Sequence, residues 1–60
     1  MMKFEDIKVG MIVKWYESYR LILEKGEDFF VYYDFEDQCK KNTQKGYKEY
    51  QEFFYELIVK

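Results

Sequence analysis

Fourteen of the sixty residues are aromatic, six Phe, seven Tyr and one Trp, and this density governs what the chain can fold into. A buried ring removes roughly 150–250 Å² from water. A few rings can therefore build a core in a chain short enough to bury only about 60% of its unfolded surface. The same abundance creates a conflict, because three strands and one short helix cannot turn fourteen rings inward. Some of them must face solvent or a partner.

The order of the residues points to β structure. Ile7, Val9, Met11, Val13 and Trp15 alternate with Lys8, Gly10 and Lys14, the period of a half-buried strand. Gly10 inside that run predicts a bend or bulge. After a polar break at Glu17-Ser18, Tyr19, Leu21 and Leu23 line one face of a second strand. Lys25-Gly26-Glu27-Asp28 reads as a hairpin connection, with Gly26 available for a positive φ. Phe29 to Phe35, aromatic or β-branched up to Asp34, is the strongest strand signal. Three strands joined by short turns make an antiparallel meander, with Val13, Leu21, Val31 and Leu57 expected in its core.

The last third changes character. Residues 36–45 are polar, and from Gly46 onward Tyr47, Tyr50, Phe54, Leu57 and Ile58 recur at the spacing of one helical face. Lys48, Glu49, Gln51, Glu52 and Glu56 fall opposite. The spacing predicts a C-terminal helix, in preference to a last strand over Phe53–Val59. No Pro/Gly/Ser-rich stretch or repeat marks a linker. The expected architecture is β-rich α+β: one domain over residues 1–60, a small antiparallel sheet or barrel covered by a C-terminal helix.

Composition narrows the chemistry. Histidine is absent, which excludes histidine acid–base catalysis, His-activated nucleophiles and the common zinc sites. Cys39 is the single cysteine, so no intrachain disulfide can form, and a free thiol fits a reducing cytosol. The N-terminus turns acidic too early for a signal peptide. The longest apolar run, Phe29 to Tyr33, is far short of the ~20 residues that span a bilayer. A cytoplasmic protein with no membrane partner is expected. Asp34, Glu36 and Asp37 could in principle do acid–base work or hold a divalent cation. They lack calcium-loop spacing, however, and no glycine-rich phosphate loop accompanies them. A solvated strand end is the expected role of this cluster. Cys39 has no His partner and only Lys40 and Lys41 nearby. The expectation is therefore no enzyme, no cofactor and no metal.

What is left is binding. Phe, Tyr, Met, Ile, Asn and Lys fill 30 positions and Gly, Ala, Arg and Pro only 4. This A/T-rich codon preference suggests a low-GC bacterium or a phage that infects one. Trp15, Tyr16, Tyr19, Phe30 and Tyr32 are the candidate partner-binding residues, since Tyr, Trp and Phe are enriched at interface cores. Tyr16, Phe30 and Tyr32 are the expected contacts of a homodimer, which would help so small a domain to bury surface. Twelve acidic against ten basic residues leave a net charge of −2. With the basic residues scattered, nucleic acid is not the expected partner; base stacking on Trp15, Tyr16 and Tyr32 is the rival reading. A purely structural, self-associating subunit is the third.

The passage Phe4-Glu5-Asp6-Ile7-Lys8-Val9-Gly10-Met11-Ile12-Val13-Lys14-Trp15, followed by Tyr19-Arg20-Leu21-Ile22-Leu23, resembles the opening of small Src-homology-3-like barrels. In those a D-x-x-x-G-x-x-V segment leads into the first strand and a second strand returns after a short turn. The resemblance covers residues 4 to about 35 and implies a barrel, not an activity. Small proteins of phages and mobile elements from low-GC bacteria also look like this. The expected function is thus a protein-interaction module, phage-encoded, that binds a host or phage protein through its aromatic surface. Inhibition of a bacterial defence protein is its concrete form.

Overall fold

The computed structural model describes residues 3–44 and 55–59. After a 3₁₀ turn at Phe4–Asp6 come five strands: β1 (Ile12–Trp15), β2 (Ser18–Lys25), β3 (Phe29–Asp34), β4 (Cys39–Gln44) and β5 (Tyr55–Val59). They form one antiparallel sheet in the order β4-β3-β2-β1-β5. The meander expected from the first three strands is present. Among the described residues no helix is long and apolar enough to cross a membrane.

Two elements differ from expectation. Residues 55–59 are a strand, not the end of a helix, and pair with β1 from Trp15↔Tyr55 to Ile12↔Val59. The run Leu57-Ile58-Val59 suits a pleated surface, and it supplies β1 with a second hydrogen-bonded neighbour. Tyr47, Tyr50 and Phe54, which carried most of the helical spacing, lie outside the described residues. Within the polar stretch, Cys39–Gln44 pairs with all of β3, from Asp34↔Cys39 to Phe29↔Gln44. Lys40, Lys41 and Asn42 suit the outermost of the described strands, where charge discourages edge-to-edge association.

The N-terminal strand begins later than the alternation suggests. Lys8 to Met11 is a turn closed by a bond from the Met11 amide to the Lys8 carbonyl (3.2 Å), with Gly10 at φ 94°. The Gly10 amide then donates to the Ile22 carbonyl and the Ile22 amide to the Met11 carbonyl, both at 2.9 Å. Gly10 and Met11 thus oppose one residue, the bulge expected of this glycine. Phe4 and Ile7, three residues apart, share one side of the 3₁₀ turn and close one end of the core. The Lys25 ammonium donates to the Phe4 carbonyl at 2.8 Å and lies 4.6 Å from its ring centroid. Gly26 has no positive φ, contrary to expectation. Its missing side chain matters instead because a β-carbon there would overlap the Phe29 ring.

The core is Phe4, Ile7, Val13, Ile22, Phe30 and Tyr32, with Met11, Trp15 and Leu57 packed against it. Of the four residues expected there, Val13 is fully buried, while Leu21, Val31 and Leu57 are half-buried. β2 and β3 therefore present the opposite phase from the one their hydrophobicity suggested. The reason is that the inner face carries charge. Arg20 and Asp34, directly opposite each other in the ladder, are both 3% exposed, so the inner phase Arg20/Ile22 and Phe30/Tyr32/Asp34 reads as less apolar than Tyr19/Leu21/Leu23 and Phe29/Val31/Tyr33. A one-residue change of phase moves every side chain to the other face.

Candidate functional site: the outer aromatic face and the polar end of the sheet

Arg20 is the chain's one arginine, and its burial needs an account. The guanidinium carbon lies 4.3 Å from the Tyr32 ring centroid and 4.5 Å from that of Trp15, a cation between two aromatic faces. Such contacts contribute about 2 kcal/mol or more when desolvated. Arg20 Nε donates to Ser18 Oγ, and Ser18 Oγ donates to Asp34 Oδ2, each at 3.4 Å. Asp34 Oδ1 accepts the amides of Glu36 (2.9 Å) and Asp37 (3.2 Å), which folds the β3–β4 loop back on its strand. A 2.7 Å bond from the Gln38 amide to the Asp34 carbonyl completes that loop, with Gln38 at φ 55°. Lys41 bridges Asp34 Oδ2 at 3.3 Å and also bonds Asp37.

This wiring settles the carboxylates. Burial alone would push the Asp34 carboxyl up; bonds from the Asp37 amide, the Lys41 ammonium and the Glu36 amide outweigh it and hold the group below its ordinary value. Asp37 and then Asp34 push the Lys41 ammonium up. Oδ1 of Asp34 holds the turn, and Oδ2 is taken up by Ser18 and Lys41. The expected solvated strand end is therefore corrected for Asp34, which is buried, whereas Glu36 and Asp37 are exposed. Among the described residues no group of three His, Cys, Asp or Glu side chains is placed to hold a metal ion. Cys39 is exposed.

The candidate binding residues divide between the two faces. Phe30 and Tyr32 are 0% and 1% exposed, so their expected place on a contact surface is corrected: they pack at 5.9 Å from each other in the core. Trp15 is half-buried against that core. Tyr16 and Tyr19 remain outside, 57% and 44% exposed. Tyr16 sits at the first position of the two-residue β1–β2 loop with φ 55°, which a type II′ hairpin turn demands and a bulky side chain resists. Its ring rests edge-on against Trp15, centroids 4.7 Å apart.

The sequence did not single out the neighbours of Tyr19. The Phe35 amide donates to the Tyr19 carbonyl at 3.1 Å, placing Phe35, 44% exposed, beside Tyr19. Phe35 meets Tyr33 edge-on at 5.2 Å. Across the sheet the ladder sets Val59, Ile12, Leu21 and Tyr33 in one row, with Val31 and Leu23 beyond. The outer face is therefore apolar over four strands, with Lys14, Lys40, Glu24 and Asn42 around it. The available signal was the parity of Phe35 with Tyr33, but it became readable only once Asp34 was known to point inward. The comparisons with known proteins add nothing to this geometry: no protein-family model, curated protein or solved structure matches the chain.

Proposed function

We propose that this protein is a non-enzymatic interaction module that binds another protein through the outer face of its sheet, with Tyr19, Tyr33 and Phe35 as the aromatic contacts and Tyr16 at the margin. One observation carries the reading. Large rings stay exposed on a face although the opposite face already supplies the core, and exposed apolar surface of that kind marks interaction sites. Consistent with it, the buried Arg20 and Asp34 are bridged by the half-buried Ser18, and Asp34 also bonds the adjacent loop, an arrangement that stabilises a fold. In the setting that codon usage suggests, the partner is a host or phage protein in a bacterial cytoplasm, and inhibition of a defence protein is the concrete form. Closure of the sheet into a Src-homology-3-like barrel belongs to the same proposal.

The test is quantitative capture from a low-GC host with tagged protein, wild type beside Tyr19→Ser/Phe35→Ser, each checked for folding by circular dichroism. One protein retained by the wild type and reduced at least tenfold with the folded variant, about 1.4 kcal/mol, is the expected result. Equal capture by both, or a nucleic acid shifted at sub-micromolar protein in ~150 mM salt, would overturn the reading.

A further inference from the structure

We infer that the outer face also docks a second copy of this chain, in a weak two-fold dimer that covers the surface assigned above to a partner protein. The inference uses the same face as that reading but does not require that a partner exist. It starts from area. Tyr19, Phe35, Leu23 and Val59 are more than a third exposed, and Ile12, Leu21, Val31 and Tyr33 are half-buried among them. At ~150–250 Å² for a ring, these fractions amount to roughly 500 Å² per copy, so a dimer would bury about 1,000 Å² in all, the lower bound of specific interfaces. That area supports association at high concentration and dissociation on dilution.

Lys14 and Glu24 at the margin suit a two-fold arrangement. Sheets that pack face to face lie about 10 Å apart with their strands within ~30° of each other. Let the two-fold axis run across the strands through the row of Leu21. The Tyr19 row of one copy then lies over the row of Val31 and Glu24 in the other, because Tyr19 and Glu24 lie on opposite sides of Leu21 along β2. Leu21 meets its own counterpart at the centre. Lys14 lies directly across from Tyr19 in the ladder, and its ammonium is 5.5 Å from that ring's centroid. Glu24 of the partner subunit arrives over the same ring. Each dimer therefore contains the Lys14–Glu24 pair twice, against one like-charge contact at the rim, where Lys40, across from Tyr33 in the axis row, faces its own copy and is exposed enough to turn into solvent. A two-fold contact of one patch with itself is the commonest closed assembly.

Sedimentation at ~10 µM and ~500 µM, with circular dichroism on each variant, tests the proposal. The wild type should move from 7.6 kDa toward twice that mass over this range. Leu21→Lys, which leaves the inner core intact, should stay monomeric throughout. Lys14→Glu should weaken the dimer about tenfold, since two surface pairs become repulsions, and Lys14→Glu/Glu24→Lys should restore it. Should Leu21→Lys fail to fold, the charge pair alone decides. A wild type that stays at the monomer mass overturns self-association and leaves the partner reading standing. A dimer indifferent to Leu21→Lys and to both charge variants overturns the assigned face.

Discussion

Two adjacent residues separate the faces of the sheet most sharply. Ile22 is 1% exposed and lies on the core side, whereas Leu21 is half-buried on the outer side. Replacing Ile22 with Ala removes three buried carbons at about 0.8 kcal/mol each, and the residual cavity raises the cost to about 3–4 kcal/mol. Leu21→Ala removes as many carbons from a half-open site with no enclosed cavity, so about 1 kcal/mol is expected. A domain of this length has a total stability of only ~3–9 kcal/mol. At about 4–8 °C per kcal/mol, Ile22→Ala should lower Tm by ~15–25 °C and Leu21→Ala by less than ~8 °C. Thermal melts followed by circular dichroism at low micromolar protein, where association does not contribute, read both values. Leu21→Ala costing as much as Ile22→Ala would refute the phase on which every statement about the outer face depends.

Further outcomes follow from the loops and the buried acid. Gly10→Ala should cost about 1–2 kcal/mol, since Gly10 has φ 94° and nothing lies within 4 Å of the added carbon; urea titration measures a purely conformational cost. Tyr16 at φ 55° is strained, so Tyr16→Asn should leave Tm unchanged or raise it by a few degrees while weakening partner capture. The Asp34 carboxyl is held below its ordinary value, so its stabilising contribution is present above the unfolded pKa of about 3.9 and is lost as pH falls through the lower folded value. Stability measured from pH 5 downward should fall most steeply below about pH 4, and Asp34→Asn should flatten that fall while destabilising the protein at neutral pH. An unchanged acid limb in the variant would remove Asp34 from this role.

The legible part of the fold was that set by local chemistry. Gly10 announced its bulge, and the alternating and aromatic runs announced β1 to β3. What stayed hidden were the places where tertiary context outweighs local preference. Arg20 and Asp34 occupy inward positions because Trp15, Tyr32, Ser18 and Lys41 supply partners, and that arrangement inverted the phase assigned to both central strands. The extra residue Leu23 in β2, where Ile22 faces Tyr32 and Glu24 faces Val31, breaks the alternation a second time. β4 is the outermost of the described strands and carries few apolar residues, so hydrophobic periodicity could not reveal it. For β5 the strand reading was available, but rings at helical spacing outweighed it. At the candidate site the same inversion displaced Phe30 and Tyr32 inward and left Tyr33 and Phe35 unremarked, while Tyr16 and Tyr19 needed no knowledge of phase because they flank an exposed turn.

The aromatic residues are sorted, with Phe30 and Tyr32 in the core and Tyr16 and Tyr19 exposed. Residue-resolved tyrosine iodination of the native protein, kept at ~1 µM so that copies stay apart, measures this sorting directly through peptide masses. Tyr16 and Tyr19 should react at rates close to those of the urea-unfolded chain, and Tyr32 should be protected by at least tenfold, reacting only through unfolding. Tyr32 reacting as fast as Tyr19 under native conditions would place its ring outside the core.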